Sequence, residues 1–196
     1  MGSLCEEALA LAAKALANAD GQTAAKIAPI DSEIDQMERT IESLCLKLLL
    51  QQQPVARDLR QISAALKMIT DMERIGDQAS DIAEIIGFLN GRIGTDAQYI
   101  CQMAVAAMRM VTESVEAYVK RDVAMAEATI QHDDVVDDLF LKVKESLIQM
   151  ISENPKDGEY ALDLLMIAKY FERIGDHATN IAEWVVFSVT GVHEQG

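Results

Sequence analysis

A twelve-residue segment occurs twice in this chain, and that repeat restricts the folds the chain can adopt. Residues 73–84 and 172–183 carry the same amino acid at nine of twelve positions, 99 residues apart. A hydrophobic core needs apolar residues of suitable size, but it does not need the same Glu, Arg, Gly and Asp to return together. The repeat therefore predicts two copies of one structural unit, each with its own copy of a functional site.

The similarity extends over most of the chain and predicts six helices. Residues 31–35 resemble residues 133–137 at an offset of 102, so the second copy is three residues shorter between its two motifs. Only 5% of the residues are aromatic and three are prolines, and this composition favours an all-helical protein. Turn-forming residues place the helices at 1–19, 22–52, 55–89, 96–120, 122–153 and 158–190.

We therefore predict an all-α fold of two tandem three-helix bundles related by internal duplication. The first bundle is expected to span residues 1–94 and the second residues 95–196, joined near Gly91–Thr95. Thr95 is the expected N-cap of the fourth helix. Helices of about 30 residues are typical of antiparallel bundles with short loops.

The formal net charge of −15 makes some partners improbable. Such a chain repels a phosphate backbone, so nucleic acid is not an expected partner, and an anionic bilayer surface is disfavoured for the same reason. Cations and basic patches on other proteins are the natural complements. The alternative is that the acidity only aids solubility.

The N-terminus and the cysteines predict a cytoplasmic protein. Cys5, Cys45 and Cys101 have no metal-type spacing, and an odd, sparse set indicates a reducing compartment. Glu6 and Glu7 occupy the place where a signal peptide carries basic residues. The strongly apolar stretch at 184–189 is too short to cross a bilayer, so no direct membrane insertion is expected.

Acidic residues on the predicted helices form stripes. At about 100° per residue, the four acids of residues 73–84 share one face, almost opposite the apolar stripe, and are expected to point outward. Those of the second helix flank its core face, so the two stripes are expected to line one groove if the helices pack antiparallel. The members of the stripes are Glu73, Asp77, Asp81 and Glu84 on one helix and Asp31, Asp35, Glu38 and Glu42 on the other.

Carboxylates stacked in this way predict a cation site in each repeat. Like charges at i and i+4 destabilise a helix, and a hard cation bound by several carboxylate oxygens removes that repulsion. Oxygen donors alone fit Mg, Ca, Mn or iron better than zinc or copper. A plain solvated surface is the alternative reading. The mid-helix Gly76 and Gly175 indicate either a tight packing point or close approach of a helix or ligand.

At these residues the chain resembles the PhoU family of phosphate-regulatory proteins. The resemblance is carried by Gln53–Arg60 (QPVARDLR), by Met72–Asp77 (MERIGD) and by Phe171–Asp176 (FERIGD), each of the last two after an acidic D-x-x-x-D helix. It implies two three-helix bundles with pseudo-twofold symmetry. It also implies a cytoplasmic negative regulator of phosphate uptake that links a phosphate ABC transporter to a sensor histidine kinase, often as a homodimer.

The resemblance further implies metal clusters held by the acidic motifs, with iron expected first and zinc or another divalent cation as alternatives. Asn180 replaces the aspartate found at Asp81, so the second site has one charge fewer. Asp81, Asn180 and His177 are candidates for additional ligands. Carried over by position, the first site uses Asp31, Asp35, Glu73 and Asp77, and the second uses Asp133, Asp137, Glu172 and Asp176.

The competing hypothesis is an enzyme or metal-storage protein of the ferritin type, with a carboxylate-bridged di-iron centre. That class uses Glu-x-x-His motifs that point into the bundle, and the motif does not occur in this sequence. A phosphatase is disfavoured because the sequence has neither a P-loop nor a Gly-rich phosphate cradle. We therefore predict a regulatory, metal-binding adaptor and not an enzyme.

Overall fold

The computed structural model describes residues 1–51, 54–89, 91–93 and 97–192, and within these ranges the regular structure is helical. The predicted all-α fold is confirmed, and the helix at 158–190 has the predicted bounds. Thr95, the predicted N-cap, lies outside the described residues. The helices are α1 (Gly2–Asn18), α2 (Gly21–Ala24), α3 (Ile27–Gln51), α4 (Ala56–Phe88), α5 (Gln98–Lys120), α6 (Val123–Gln131), α7 (Asp133–Glu153) and α8 (Gly158–Thr190), with a 3-10 turn at Pro155–Asp157 before α8.

The prediction of one continuous helix at 22–52 was wrong, because α2 ends at Ala24 and α3 begins at Ile27. Pro29 explains the break. A proline has no N–H to donate and its ring clashes with the carbonyl four residues earlier, here that of Ala25. The chain therefore restarts its helix two residues before Pro29, which places the proline in the first turn of α3, where it is tolerated.

The prediction of one helix at 122–153 was also wrong, because His132 separates α6 from α7. No proline occurs there; the position equivalent to Pro29 is Gln131, and α6 continues through it. At the break, His132 Nδ1 lies 2.8 Å from a carboxylate oxygen of Glu113 on α5. This second break thus coincides with a contact between α5 and His132. The sequence pattern along one helix does not predict such a contact.

The same turn opens the second helical segment of both repeats. Asp20 accepts a hydrogen bond from the backbone of Gln22 at 2.9 Å, and Asp122 accepts one from Met125 at 3.0 Å. Each aspartate thus caps the helix that follows it, α2 or α6. A helix, a turn at an Asp and a further helix therefore follow one another in both halves.

The two repeats, α1–α4 and α5–α8, share one continuous core. Helices α4 and α8 pack on each other, as do α1 and α5, and the buried residues of both halves form one contiguous cluster. The α4–α8 contacts are reciprocal: Asp71 pairs with Asn180, while Asp81 pairs with Tyr170, the counterpart of Asp71. Such reciprocity reflects pseudo-twofold symmetry. Within the described residues, none of the helices combines the length and apolar character of a membrane span.

Candidate metal site

The groove between α3 and α4 brings three of the predicted ligands together. One carboxylate oxygen from each of Asp31, Asp35 and Asp77 lies within 4.8 Å of the other two. Asp31 and Asp35 are one turn apart near the start of α3, and Asp77 faces them from the middle of α4. Three carboxylates at this separation repel one another unless a proton or cation lies among them. The donor set, made of oxygen atoms alone, suits a hard divalent cation.

Gly76 allows Asp31 to approach α4 closely. A Cβ atom at position 76 would lie 2.7 Å from Asp31 Oδ1 and 3.0 Å from Ile34 Cδ1. The glycine, which costs helix stability in isolation, therefore lets the carboxylate lie against the α4 backbone. Gly76 is therefore both a tight packing point, because Ile34 packs on it, and a point of close approach of the neighbouring helix.

Asp31 is the most constrained carboxylate of this groove. Its Oδ2 accepts a hydrogen bond of 2.9 Å from the hydroxyl of Ser80 on α4. Its Oδ1 is buried and has no hydrogen-bond partner among the described residues. A buried oxygen without a partner costs free energy unless another group satisfies it. A bound cation would satisfy this oxygen, so Asp31 Oδ1 fits a metal ligand.

The pKa values in the groove reflect burial and crowding of negative charge. Burial raises the pKa of Asp31, the Ser80 hydrogen bond opposes that effect, and Asp77 and Asp35 raise the pKa further. Burial likewise raises the pKa of Glu73, with Asp77 adding to the effect. A cation would reverse both effects, because it favours the charged form of each carboxylate.

The expectation that these acids simply point outward needs correction. Asp31, Asp35, Glu73 and Asp77 are each partly buried. The stripe of α4 lies opposite its apolar face, but α3 covers part of that stripe because Asp31 and Ile34 pack against Gly76. Glu73 lies beside Asp77 and 3.6 Å from the Arg74 guanidinium, and it is not one of the three converging carboxylates.

The groove between α7 and α8 repeats this arrangement less tightly. A Cβ at Gly175 would lie 3.1 Å from Asp133 Oδ1, so Asp133 covers Gly175 as Asp31 covers Gly76. Asp137 and Asp176 are exposed, and Glu172 is paired with Lys169. Within the described ranges, no second trio of His, Cys, Asp or Glu ligands converges as closely as the trio in the first groove.

Asp133 is the most perturbed carboxylate of the second groove. Burial, together with the charges of Asp176 and Asp137, raises its pKa from 3.8 to about 6. Thr179 occupies the position equivalent to Ser80, but its hydroxyl has no hydrogen-bond partner among the described residues. The second groove therefore lacks the hydrogen bond that moderates the pKa of Asp31.

The three candidates for additional ligands take part in contacts between the repeats. His177 Nδ1 lies 2.9 Å from Asp71 Oδ1, and Asn180 Nδ2 donates to the same oxygen at 3.1 Å. Asp81 accepts a hydrogen bond from Tyr170 on α8. All three side chains therefore have partners at the α4–α8 contact. The carboxylates described in the preceding paragraphs remain the main candidate metal ligands.

Sequence reasoning missed three residues that shape these grooves. Ser80 lies one turn after Asp77, and its spacing could have indicated a hydroxyl facing the same groove. Lys169 precedes Glu172 by three residues, a spacing that brings side chains together on a helix. No sequence pattern pointed to a role for Asp71, because its partners come from α8, about one hundred residues away in the sequence.

Comparison with known proteins identifies the family. Two segments of the chain, residues 1–86 and 100–185, match the family model of the PhoU domain. The chain belongs to the PhoU family. A relative from Clostridium acetobutylicum, named phosphate-specific transport system accessory protein PhoU homolog, is 37% identical over 97% of this chain and 88% of its own length. A relative of the same name from Pseudomonas aeruginosa is 35% identical over 97% of this chain and 80% of its own length.

Solved PhoU structures have the same fold. The crystal structure of PhoU from Pseudomonas aeruginosa superposes with a TM-score of 0.94 at 34% identity, covering 98% of this chain and 93% of that one. The phosphate transport system regulatory protein PhoU from Streptococcus pneumoniae superposes with a TM-score of 0.89 at 26% identity, covering 99% and 92%. The PhoU match thus extends over both repeats and both acidic grooves.

Proposed function

We propose that this protein is a regulatory accessory protein of a phosphate-specific transport system, and that it carries a divalent cation in its first acidic groove. The observation that carries the proposal is the convergence of Asp31, Asp35 and Asp77 in a chain that matches PhoU relatives over nearly its full length. The names of those relatives support the role in phosphate transport. The three converging carboxylates of the groove support the proposal of a bound cation.

The cation would be held by Asp31, Asp35 and Asp77, with Glu73 beside them. It would supply positive charge that neutralises the groove and fixes α3 against α4. Iron is the first expectation, since carboxylate oxygens suit it, and zinc or another divalent cation remains an alternative. We place a second, weaker cation at Asp133, Asp137, Glu172 and Asp176, where Lys169 already neutralises one carboxylate.

The proposed role is that of an adaptor without catalysis. We propose that the protein acts in the cytoplasm as a homodimer, and that it links phosphate ABC transporter components to a sensor histidine kinase. Its action would be negative, keeping phosphate-starvation genes off when phosphate is plentiful. The family resemblance supports these partners and a role without catalysis.

The regulatory role can be tested in a bacterial strain that lacks its own PhoU. We expect the chain to restore repression of a phosphate-starvation reporter in phosphate-rich medium. The double variant Asp35→Asn/Asp77→Asn should lose that repression while keeping its helical circular dichroism. The counterpart Asp137→Asn/Asp176→Asn serves as the matched control. If the wild-type chain fails to repress the reporter in several hosts, the regulatory proposal is wrong.

The cation is tested on protein purified without chelator. We expect elemental analysis to find a divalent metal bound in the wild type and lost in Asp35→Asn/Asp77→Asn. Anomalous scattering from crystals should place the metal between α3 and α4. Catalytic turnover of ferrous iron would instead favour the ferritin-like alternative. Metal at background level in the wild type would remove the cation from the proposal and leave the regulatory role to be judged by the reporter.

A further inference from the structure

One end of the helix bundle combines exposed aliphatic side chains with basic ones. Here α3 ends, α4 begins, and α5 and α8 end. Gln61, Tyr118, Arg121 and Ser188 line one common cavity, which brings the ends of α5 and α8 to the start of α4. We call this end the basic end. Its exposed aliphatic side chains include Leu46, Leu50, Val55, Leu59, Val119 and Val192, with Leu50 84% and Val119 76% exposed.

Basic side chains are interleaved with these aliphatic residues. Lys47 lies between exposed leucines on α3, Arg57 and the partly buried Arg60 lie on either side of Asp58 and Leu59 on α4, and Lys120, which pairs with Glu116, and Arg121 follow Val119 on α5. Basic residues at the ends of α5 and α3 also complement helix dipoles, which gives part of their structural reason. Dipoles do not explain exposed leucines and valines, which gain nothing from facing water.

The internal repeat provides a control for this observation. The opposite end of the bundle is built from the equivalent elements of the second repeat, the end of α7 and the start of α8. There Leu50 corresponds to Ser152, Lys47 to Gln149, and Arg60 to Glu159. Glu153 and Asp157 add further negative charge. Ile148, the counterpart of Leu46, is 64% exposed, and Lys156 is the counterpart of Arg57, so the two ends differ in net charge and not in the presence of exposed aliphatic side chains.

From this polarity we infer that the basic end is a docking surface for a bilayer that contains anionic phospholipid. Aliphatic side chains from four helix ends, with lysines and arginines between them, suit a broad lipid interface, where apolar groups enter the headgroup region and basic groups meet lipid phosphates. A groove for a single partner helix would instead collect its aliphatic residues along one helix pair. The inference is independent of the cation and of the proposed regulatory role.

The net charge of −15 does not oppose this docking. Asp31 lies 19 residues before Leu50 on α3, which corresponds to about 28 Å along the helix. The Debye length at physiological salt is about 8 Å, so charges at that distance are largely screened from a surface at the basic end. Asp58, Glu116 and Asp122 also lie at the basic end, but they are fewer than its basic residues, which are Lys47, Arg57, Arg60, Lys120 and Arg121.

The test uses the full chain and sedimentation of vesicles. We expect binding to phosphatidylcholine vesicles that contain about 30% phosphatidylglycerol, and much weaker binding to phosphatidylcholine alone. Raising the salt to about 0.5 M should reduce the binding, because screening shortens the range of the basic residues. Absence of binding to the anionic vesicles at low salt overturns the inference.

Two variants with the same charge change locate the surface. Leu46→Asp/Arg57→Glu alters the basic end, and Ile148→Asp/Lys156→Glu alters the equivalent positions at the opposite end. We expect the first to lose binding at least about tenfold and the second less than about twofold. Circular dichroism and thermal unfolding verify that both variants fold.

Equal losses in the two variants would show that total charge, not the basic end, decides binding, and would overturn the inference. Light scattering of the same proteins addresses a different occupant. If the first variant converts a wild-type dimer to a monomer and the wild type does not bind vesicles, a second copy of the chain covers this end and the lipid inference is wrong.

Discussion

In the first repeat, Asp31 accepts a hydrogen bond from Ser80 and converges with Asp35 and Asp77, whereas Asp133 of the second repeat lies in a looser groove. The second groove also contains Lys169, paired with Glu172, at the position that Thr70 occupies in the first. One repeated sequence motif has thus produced one groove whose carboxylates pair with arginines, Asp35 with Arg39 and Asp77 with Arg74, and another in which Glu172 pairs with Lys169. A duplicated motif predicts duplicated backbone geometry, and the neighbouring side chains decide its chemistry.

The sharpest test of this comparison removes equivalent carboxylates from the two grooves. We expect Asp35→Asn/Asp77→Asn to weaken manganese binding in calorimetry by about 100-fold, because it removes two of three converging donors. The matched Asp137→Asn/Asp176→Asn should weaken the tighter binding event by less than about threefold. Equal effects of the two doubles would mean that the grooves do not differ as cation sites.

The next largest effect should come from the two glycines. Gly76→Ala places a methyl group 2.7 Å from the present position of Asp31 Oδ1, so the carboxylate must move away from Asp77. Gly175→Ala places one 3.1 Å from Asp133 Oδ1, which a smaller adjustment relieves. We expect about a tenfold loss of manganese affinity for the first and about twofold for the second. A crystal structure of Gly76→Ala with Asp31 unmoved would contradict the explanation.

Exchanging the counter-charge should make the grooves more alike. Lys169→Thr removes the cation paired with Glu172, so we expect manganese affinity in the second groove to rise by about fivefold. Thr70→Lys, the reverse change, should lower affinity in the first groove by a similar factor. Calorimetry of both variants, with Lys142→Thr as a control outside the grooves, measures these shifts. Unchanged affinity in both would show that Lys169 does not control the second groove.

The smallest effect concerns Asp133 in metal-free protein. Its pKa is raised from 3.8 to about 6, so the folded state holds a proton in this range that the unfolded state has released. The stability contribution of Asp133 therefore falls as the pH rises through that window. Asp133→Asn should stabilise the protein near pH 7.5 by up to about 1 kcal/mol after allowance for solvent screening, and by almost nothing near pH 4. Thermal unfolding at the two pH values measures the difference.

Most of the fold could be predicted because its signals are local. Asp20 and Asp122 cap helices within three residues of themselves, and the apolar period of α4 and α8 fixes their buried faces. The break before Pro29 follows from proline chemistry, which the sequence alone supplies. The break at His132 was not predictable in this way, because the partner of His132 is Glu113, on another helix. The domain boundary between residues 94 and 95 stays a prediction.

The candidate site was predictable only in outline. Spacing on one helix placed Glu73 and Asp77 on a common face, but it could not show that Asp77 rather than Glu73 would meet Asp31 and Asp35. That choice depends on the register of α3 against α4, which packing of Asp31 and Ile34 on Gly76 sets. Which side chains meet where α4 packs on α8, such as His177 and Asp71, depends in the same way on how the two helices cross.

Taken alone, the amino-acid sequence determined that this chain is helical, that it is built from two equivalent units, and that each unit carries carboxylates at matched positions. These properties follow from periodicity and capping, which act over a few residues. The tertiary structure alone decided which carboxylates share a groove, which basic side chains pair with them, and which end of the bundle is basic. Those properties depend on distances between helices, and a period along one helix carries no information about its neighbour.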